Sequence, residues 1–146
     1  MFFLGTAGFY SSSLRNEKKS MFSVAESAIQ SALELGITHI DTANIYGNGE
    51  SETVIGRIFR KDQSLREKIF LQTKCGIKFS KTDNKIYYDT SKNHIVSQVE
   101  ASLKKMGTDR LDSLLIHRPN PLMSAQEISE AVVKLVDSGK ILNFGV

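Results

Sequence analysis

Short β-branched or apolar runs alternate with amphipathic helical segments along the whole chain. The first run, residues 2–6 (FFLGT), is bounded by Gly5 and Gly8 and suits a buried strand. A polar loop through Lys19 follows. Ser23, with Glu26 three residues on, has the spacing of a capping box, and Val24, Ala25, Ala28, Ile29, Ala32 and Leu33 then recur at helical spacing until Gly36. Residues 37–41 (ITHID) read as a second strand, leading through TANIYGNG to a helix with Val54, Ile55, Ile58 and Phe59 on one face. Residues 68–74 (KIFLQTK) make a third strand. A long loop from Cys75 to Thr90 precedes a helix that buries Ile95, Val99, Leu103 and Met106 and stops at Gly107. Residues 111–117 (LDSLLIH) make a fourth strand. Ser124 and Glu127 have capping-box spacing ahead of Ile128, Ala131, Val132, Leu135 and Val136, Gly139 ends that helix, and KILNFGV has strand character again.

Five strands in strict alternation with four helices imply right-handed crossovers and a parallel α/β sheet, either doubly wound or closed into a barrel. A doubly wound dinucleotide fold would carry G-x-G-x-x-G directly after its first strand. Gly5 and Gly8 have the wrong spacing and no helix stands directly behind them. The candidate polar groups sit instead at the C-terminal ends of several strands, where barrels place their chemistry. The expected fold is therefore a (β/α)8 TIM-type barrel. A complete one needs roughly 250 residues, so these 146 supply only the first four to five βα units. Residues 1–146 read as the N-terminal part of a single, truncated barrel domain that ends within the predicted fifth strand. Half a barrel leaves two open sheet edges and an apolar interior, a geometry that favours self-association.

Composition narrows the partners. Lys and Arg exceed Asp and Glu by 19 to 16, and the cations are spread along the chain rather than massed, which argues against a nucleic-acid partner. The single cysteine, Cys75, excludes an intrachain disulfide framework and fits a reducing compartment, the cytoplasm. The opening MFFLGTAGF lacks a basic flank and is short for a signal segment, and no stretch has the length of a membrane span. His39, His94 and His117 lie on separate elements without paired ligand spacing, so no metal site is expected.

Asp41 ends the second predicted strand, Tyr46 follows five residues later, Lys74 ends the third and His117 the fourth, which places all four at one face of the sheet. Singly, each has an ordinary structural role open to it. Together they suit carbonyl reduction. A carbonyl that receives hydride becomes an alkoxide and needs a positioned acid, and an unassisted phenol is a poor donor at neutral pH. An ammonium beside Tyr46 would stabilise its phenolate and make it a better acid, while Asp41 holds Lys74 charged and in place. His117 would orient the carbonyl oxygen or relay a proton. A different reading makes Lys74 a Schiff-base lysine of a barrel lyase, which leaves Asp41 and Tyr46 without a task.

IDTANIYGNGESE (residues 40–52), LQTKCG (71–76) and LDSLLIHRPNP (111–121) resemble three successive signatures of the aldo-keto reductase family, with LGTAGF and GKILNFGV extending the similarity to both ends. The HRPNPLM stretch is most similar to bacterial members acting on small aldehydes or ketones. The resemblance implies the eightfold barrel, an active site of Asp41, Tyr46, Lys74 and His117 with Tyr46 as acid, and NADPH as cofactor with NADH as the alternative. It also implies that Thr6 and Asp41 lie near the cofactor's ribose. The family's main phosphate-holding loops follow later strands and are absent here, as is the Ser-Asn pair expected after Val146. A catalytically inactive fragment, or a non-catalytic binding subunit of the same fold, is therefore the competing reading.

Two loops are expected to flank the substrate. Phe9 and Tyr10 either wall an apolar pocket or pack back on the barrel. The long loop's Lys78, Lys81, Lys85, Tyr87 and Tyr88 offer cations to an acidic substrate or an adenine phosphate, although a solvated loop is the simpler reading. Cys75, with no base assigned to it, is expected to serve packing.

Overall fold

The computed structural model describes residues 1–10, 20–80, 82–83 and 85–146. In chain order its elements are β1 (Phe3–Gly5), α1 (Met21–Glu34), β2 (His39–Asp41), a 3-10 segment (Tyr46–Gly49), α2 (Glu50–Lys61), α3 (Ser64–Lys68) and β3 (Phe70–Cys75). There follow β4 (Ile77–Phe79), β5 (Ile86–Tyr88), α4 (Lys92–Met106), β6 (Ser113–Ile116), α5 (Ala125–Asp137) and β7 (Phe144–Gly145). The main sheet has the order β1-β2-β3-β6-β7, with every pairing parallel. Each strand is laid beside the one before it. A doubly wound sheet would reverse direction at a switch point, whereas a barrel wall grows in this consecutive way. The architecture is thus part of a (β/α)8 barrel wall.

Among the described residues, helices cover one face of the wall. In β3 the side chains of Leu71, Thr73 and Cys75 are buried, while those of Phe70, Gln72 and Lys74 between them are only partly covered, as the two-residue period of a strand requires. Ile29, Ile55, Ile95, Met106 and Leu135 from the helices join Leu71 and Leu114 from the strands in one core. The opposite, concave face is less apolar than expected. Its lower row is Phe3, His39 and Phe70, in register and with rings 4.9 and 4.7 Å apart. Above that row stand Asp41, Gln72 and Lys74. The strand ends that carry the candidate chemistry are the ones that make this surface polar.

Several element boundaries differ from the sequence reading, each for a local reason. Helix α1 starts three residues early: Ser20 is the N-cap, accepting from the Ser23 amide at 3.3 Å, and the Ser23 hydroxyl returns to the Ser20 carbonyl at 2.8 Å. Ser23 occupies the third helical position but donates to the Ser20 carbonyl rather than accepting from the Ser20 amide, so no reciprocal box forms, and the Glu26 carboxylate binds Lys61. Ser124 caps α5 as expected, but Glu127 does not close a reciprocal box. Its carboxylate accepts from the Lys92 amide at 2.9 Å, joining the first turns of α4 and α5. Val136 of α5 is exposed rather than packed. The five-residue α3 was not foreseen. The expected loop 75–90 contains the antiparallel hairpin β4–β5, where Tyr87 alternates with two other exposed apolar side chains.

Gly56 shows why α2 and α4 approach so closely. A Cβ there would run into the Lys105 carbonyl oxygen and stand 2.7 Å from Met106 Cα. Only a glycine lets the two backbones touch. Among the described residues no helix is long and apolar enough to cross a membrane.

Candidate active site

Alternation along β2 and β3 puts Asp41 and Lys74 on the concave face, because Ile40, Thr73 and Cys75 are committed to the core. The Lys74 ammonium lies 2.6 Å from both Asp41 carboxylate oxygens and 3.0 Å from the Thr42 carbonyl. All three of its N–H donors are therefore engaged, and both partners are mostly shielded from water. Such a pair is held more firmly than an exposed one. It also leaves Lys74 no lone pair with which to attack a carbonyl, so the geometry argues against the Schiff-base reading.

Tyr46 follows β2 on a segment whose shape is written in Tyr-Gly-Asn-Gly. Gly47, Asn48 and Gly49 all take positive φ, at 57, 59 and 90°. Glycine adopts that conformation freely and asparagine tolerates it better than other residues. The turn brings the Tyr46 ring over Lys74, with the ammonium 5.3 Å from the ring centroid. Tyr10 packs against Gly47 where a Cβ would otherwise stand, so this loop aromatic braces the turn; Phe9 is buried in the core.

His117 directly follows β6, and its amide donates to the Cys75 carbonyl at 2.8 Å, extending the pairing with β3 by one residue. Its ring meets the Tyr46 ring edge-on, with centroids 5.8 Å apart and planes at 90°. Burial pushes the imidazole below its ordinary value, and the nearby Lys74 and Arg118 push it further down against a smaller opposing effect of Asp41. The ring is neutral at pH 7. Its Nδ1 is buried with no partner among the described residues. A buried N–H without an acceptor is costly, so the proton belongs on Nε2, which is directed away from that buried edge.

All four sequence-selected residues are thus brought to one patch at the C-terminal ends of β2, β3 and β6. Two supporting residues were missed. Gln72, one row below Lys74, donates its side-chain amide to Asp41 Oδ1 at 2.8 Å. Glu52 is fully buried behind the wall, accepting from the Thr73 hydroxyl at 2.9 Å and pairing with Lys105 at 3.2 Å. The sequence signal for Gln72 was its position two residues before Lys74, on the same strand face. Glu52 had none beyond being a carboxylate in the first turn of a helix.

The sequence matches the profile of the aldo/keto reductase family over residues 2–146. The chain belongs to that family. It is 41% identical over 122 residues to the oxidoreductase YdhF of Escherichia coli, covering 82% of this chain and 41% of that protein. To the 6-dehydroglucose reductase of Agrobacterium fabrum it is 44% identical over 126 residues, covering 83% of this chain and 42% of that one. The aldo-keto reductase AKR11C1 of Bacillus halodurans, solved in its holo form, superposes with a TM-score of 0.80 at 28% identity, covering 97% of this chain and 43% of that one. The chain spans about two fifths of the length of these relatives.

Aldo/keto reductases generally use nicotinamide cofactors, and the site can be tested for one. The mouth offers the Asp41 carboxylate, the Nε2 edge of His117 and open space at Gly5, where an added Cβ would meet nothing within 4 Å. These suit a planar ring and a ribose hydroxyl. Thr6 stands directly beside Asp41. It is fully buried, its amide and hydroxyl both donate to the Asp41 carbonyl at 3.0 and 3.1 Å, and its own carbonyl accepts from Ser51 at 3.0 Å. Thr6 thus fixes the backbone of Asp41.

The remaining candidates stand apart from the four. Lys78, Lys85, Tyr87 and Tyr88 are exposed on and beside the hairpin, and Lys81 lies outside the described residues. Cys75 is buried against the helices, and desolvation, with a smaller push from Glu52, raises its thiol to about 12. It packs and does not react.

Proposed function

We propose that the protein reduces a small aldehyde or ketone to an alcohol with a nicotinamide cofactor, NADPH being the expected donor and NADH the alternative. The observation that carries this reading is the Asp41–Lys74 clasp lying beneath the Tyr46 ring with the His117 edge beside it. When bound, the cofactor supplies a hydride to the carbonyl carbon. The chain's own residues deal with the oxygen. The Nε2–H of neutral His117 donates a hydrogen bond to it and fixes its direction. The Tyr46 hydroxyl gives up its proton to the same oxygen as negative charge develops there, so that hydride plus proton account for the alcohol. The Lys74 ammonium offsets the charge left on the phenolate. Asp41 keeps that ammonium in place with two hydrogen bonds, and Thr6 and Gln72 keep Asp41 in place with three more.

The test is steady-state oxidation of NADPH, and separately of NADH, by the intact protein with a panel of small aldehydes and ketones. Tyr46→Phe is expected to lower kcat by about 10²–10⁴, the usual contribution of a positioned acid, with cofactor binding retained. A Tyr46→Phe variant that keeps most of its activity removes Tyr46 as the acid, and an intact protein that oxidises neither cofactor with any carbonyl refutes the reading altogether.

A further inference from the structure

The turn that carries Tyr46 is gripped from behind by helix α4. On the near side of the tyrosine, the Asn44 side-chain amide donates to Gln98 Oε1 of that helix at 2.9 Å. On the far side, the Lys105 side chain fills the space left where Gly49 lacks a Cβ. An added Cβ there would collide with the Lys105 ammonium and stand 2.9 Å from Lys105 Cε. Gln98 and Lys105 are seven residues apart in α4, about two turns, so they share one face of it. The Lys105 backbone is fixed as well, because its carbonyl oxygen abuts Gly56 of α2. A single residue of α4 thus meets Gly49 with its side chain and Gly56 with its main chain.

The Lys105 ammonium is held in that place by Glu52 at 3.2 Å, and Glu52 is fully buried. Stability alone does not favour the arrangement. A cation beside the N-terminus of α2 opposes the helix dipole, and a buried ion pair is commonly no more stabilising than well-packed apolar side chains of the same volume. What the pair supplies is direction. Glu52 Oε2 takes the Lys105 ammonium, while Glu52 Oε1 accepts from the Thr73 hydroxyl at 2.9 Å. Thr73 is the residue before Lys74 on β3. Contacts therefore run behind the wall from Gly49 through Lys105 and Glu52 to Thr73, joining the Tyr46 turn to the strand that carries the clasp. We infer that Glu52 and Lys105 are positioning residues, which set the Tyr46 ring over the Lys74 ammonium by tying the Tyr46 turn to β3.

The kinetic arm of the experiment rests on Tyr46 being the acid, and the NMR arm does not. Lys105→Met removes the ammonium and keeps most of the stem. In the isotopically labelled wild type, nuclear Overhauser contacts are expected from the Tyr46 ring to the Lys74 ε-methylene and to the His117 ring. Lys105→Met should lose or weaken them, with kcat lowered about tenfold or more and KM within about twofold. This variant also leaves the Glu52 carboxylate buried without its cation, so it should unfold at lower urea. Adding Glu52→Gln removes that charge and keeps an acceptor for Thr73. The double variant should recover the urea midpoint without recovering the Tyr46 contacts or kcat. A pair that serves stability alone would let all three recover together, and that result overturns the inference, as does a full set of Tyr46 contacts in Lys105→Met. If the wild type reduces no carbonyl, the reading of Tyr46 as the acid fails, and the Tyr46 contacts still decide whether Glu52 and Lys105 place its ring.

Discussion

Gln72 stands one row beneath Lys74 on the same face of β3 and donates its side-chain amide to the Asp41 oxygen that also accepts from Lys74, at 2.8 Å. Two donors on one carboxylate oxygen fix its direction as well as its charge. Replacing Gln72 by Leu leaves the Lys74 pair intact but frees Asp41 to rotate. The loss expected is that of one hydrogen bond to a charged group, about 1.5–3 kcal/mol. Steady-state kinetics of the intact protein should show kcat lowered about fivefold or more, with a shifted pH profile and KM little changed. Unchanged kcat and pH profile would reduce Gln72 to a filler of the barrel interior.

Much of this arrangement was legible in the sequence because strands impose a period of two. Once Asp41 and Lys74 are placed at neighbouring strand ends, the alternation that buries Ile40, Thr73 and Cys75 forces both onto the concave face. The turn through Gly47, Asn48 and Gly49 was visible too, since few residues other than Gly and Asn adopt positive φ. The illegible parts depend on contacts between distant elements. Glu52 looks like any first-turn carboxylate until α4 brings Lys105 to it. The β4–β5 hairpin has no strong turn signal, so it read as loop. Helix α1 reads as starting at Ser23 because a glutamate stands three residues on, and the earlier start at Ser20 shows only once the Ser20 side chain is seen to accept from the Ser23 amide.

His117 ties stability to pH. Its folded-state value lies below that of the unfolded chain, so the unfolded chain takes up protons first as the pH falls through about 6.5. Stability from this group is therefore full above that pH and lost progressively on acidification. His94 shifts the same way, again chiefly by burial. Urea unfolding at about pH 7.5 and about pH 5.5 should give a lower midpoint in acid, and His117→Gln should make the difference smaller. An unaltered difference would mean that His117 has the same affinity for protons folded and unfolded.

Gly56→Ala tests the α2–α4 contact through the sign of its effect. In an exposed helix interior this change stabilises by about 1 kcal/mol, because alanine is the better helix former. Here the added Cβ meets the Lys105 carbonyl and lies 2.7 Å from Met106 Cα, and both are backbone atoms that cannot swing aside. Destabilisation by about 1–3 kcal/mol is expected, read from the urea midpoint. A stabilised variant would show that the two helices can separate freely.

Arg66 holds the other end of the wall. Its guanidinium donates to the Thr108 hydroxyl at 3.0 Å and to the Ile69 and Arg110 carbonyls at 2.9 Å, and it pairs with Asp112 at 2.9 Å. Asp112 in turn accepts from the Leu71 amide at 2.8 Å. The fork thus clamps the N-terminal ends of β3 and β6, far from the candidate chemistry, where barrels place stability. Arg66→Lys keeps the charge but cannot reach four partners in different directions. It should cost about 2–3 kcal/mol in urea unfolding, through the buried acceptors left unpaired, while KM and kcat of the intact protein stay within about twofold. A large loss of kcat with little loss of stability would relocate Arg66's role to the mouth.

Cys75 offers a readout of the core behind the active site. Only thiolate reacts with an alkylating reagent, and with the thiol raised to about 12 the folded chain at about pH 8 carries roughly one thiolate in ten thousand molecules. The side chain is also 2% exposed, behind Lys74 and His117 on the covered face of the wall. Reagent must therefore wait for the sheet to part from its helices. Iodoacetamide labelling at about pH 8 should run at least about 10³-fold slower than in the unfolded chain, and it should accelerate with urea in parallel with global unfolding. Labelling only about tenfold slower than in the unfolded chain, or insensitive to urea, would mean that the strand carrying Lys74 opens locally without the rest of the fold, and a clasp mounted on such a strand could not keep Tyr46 and His117 in register.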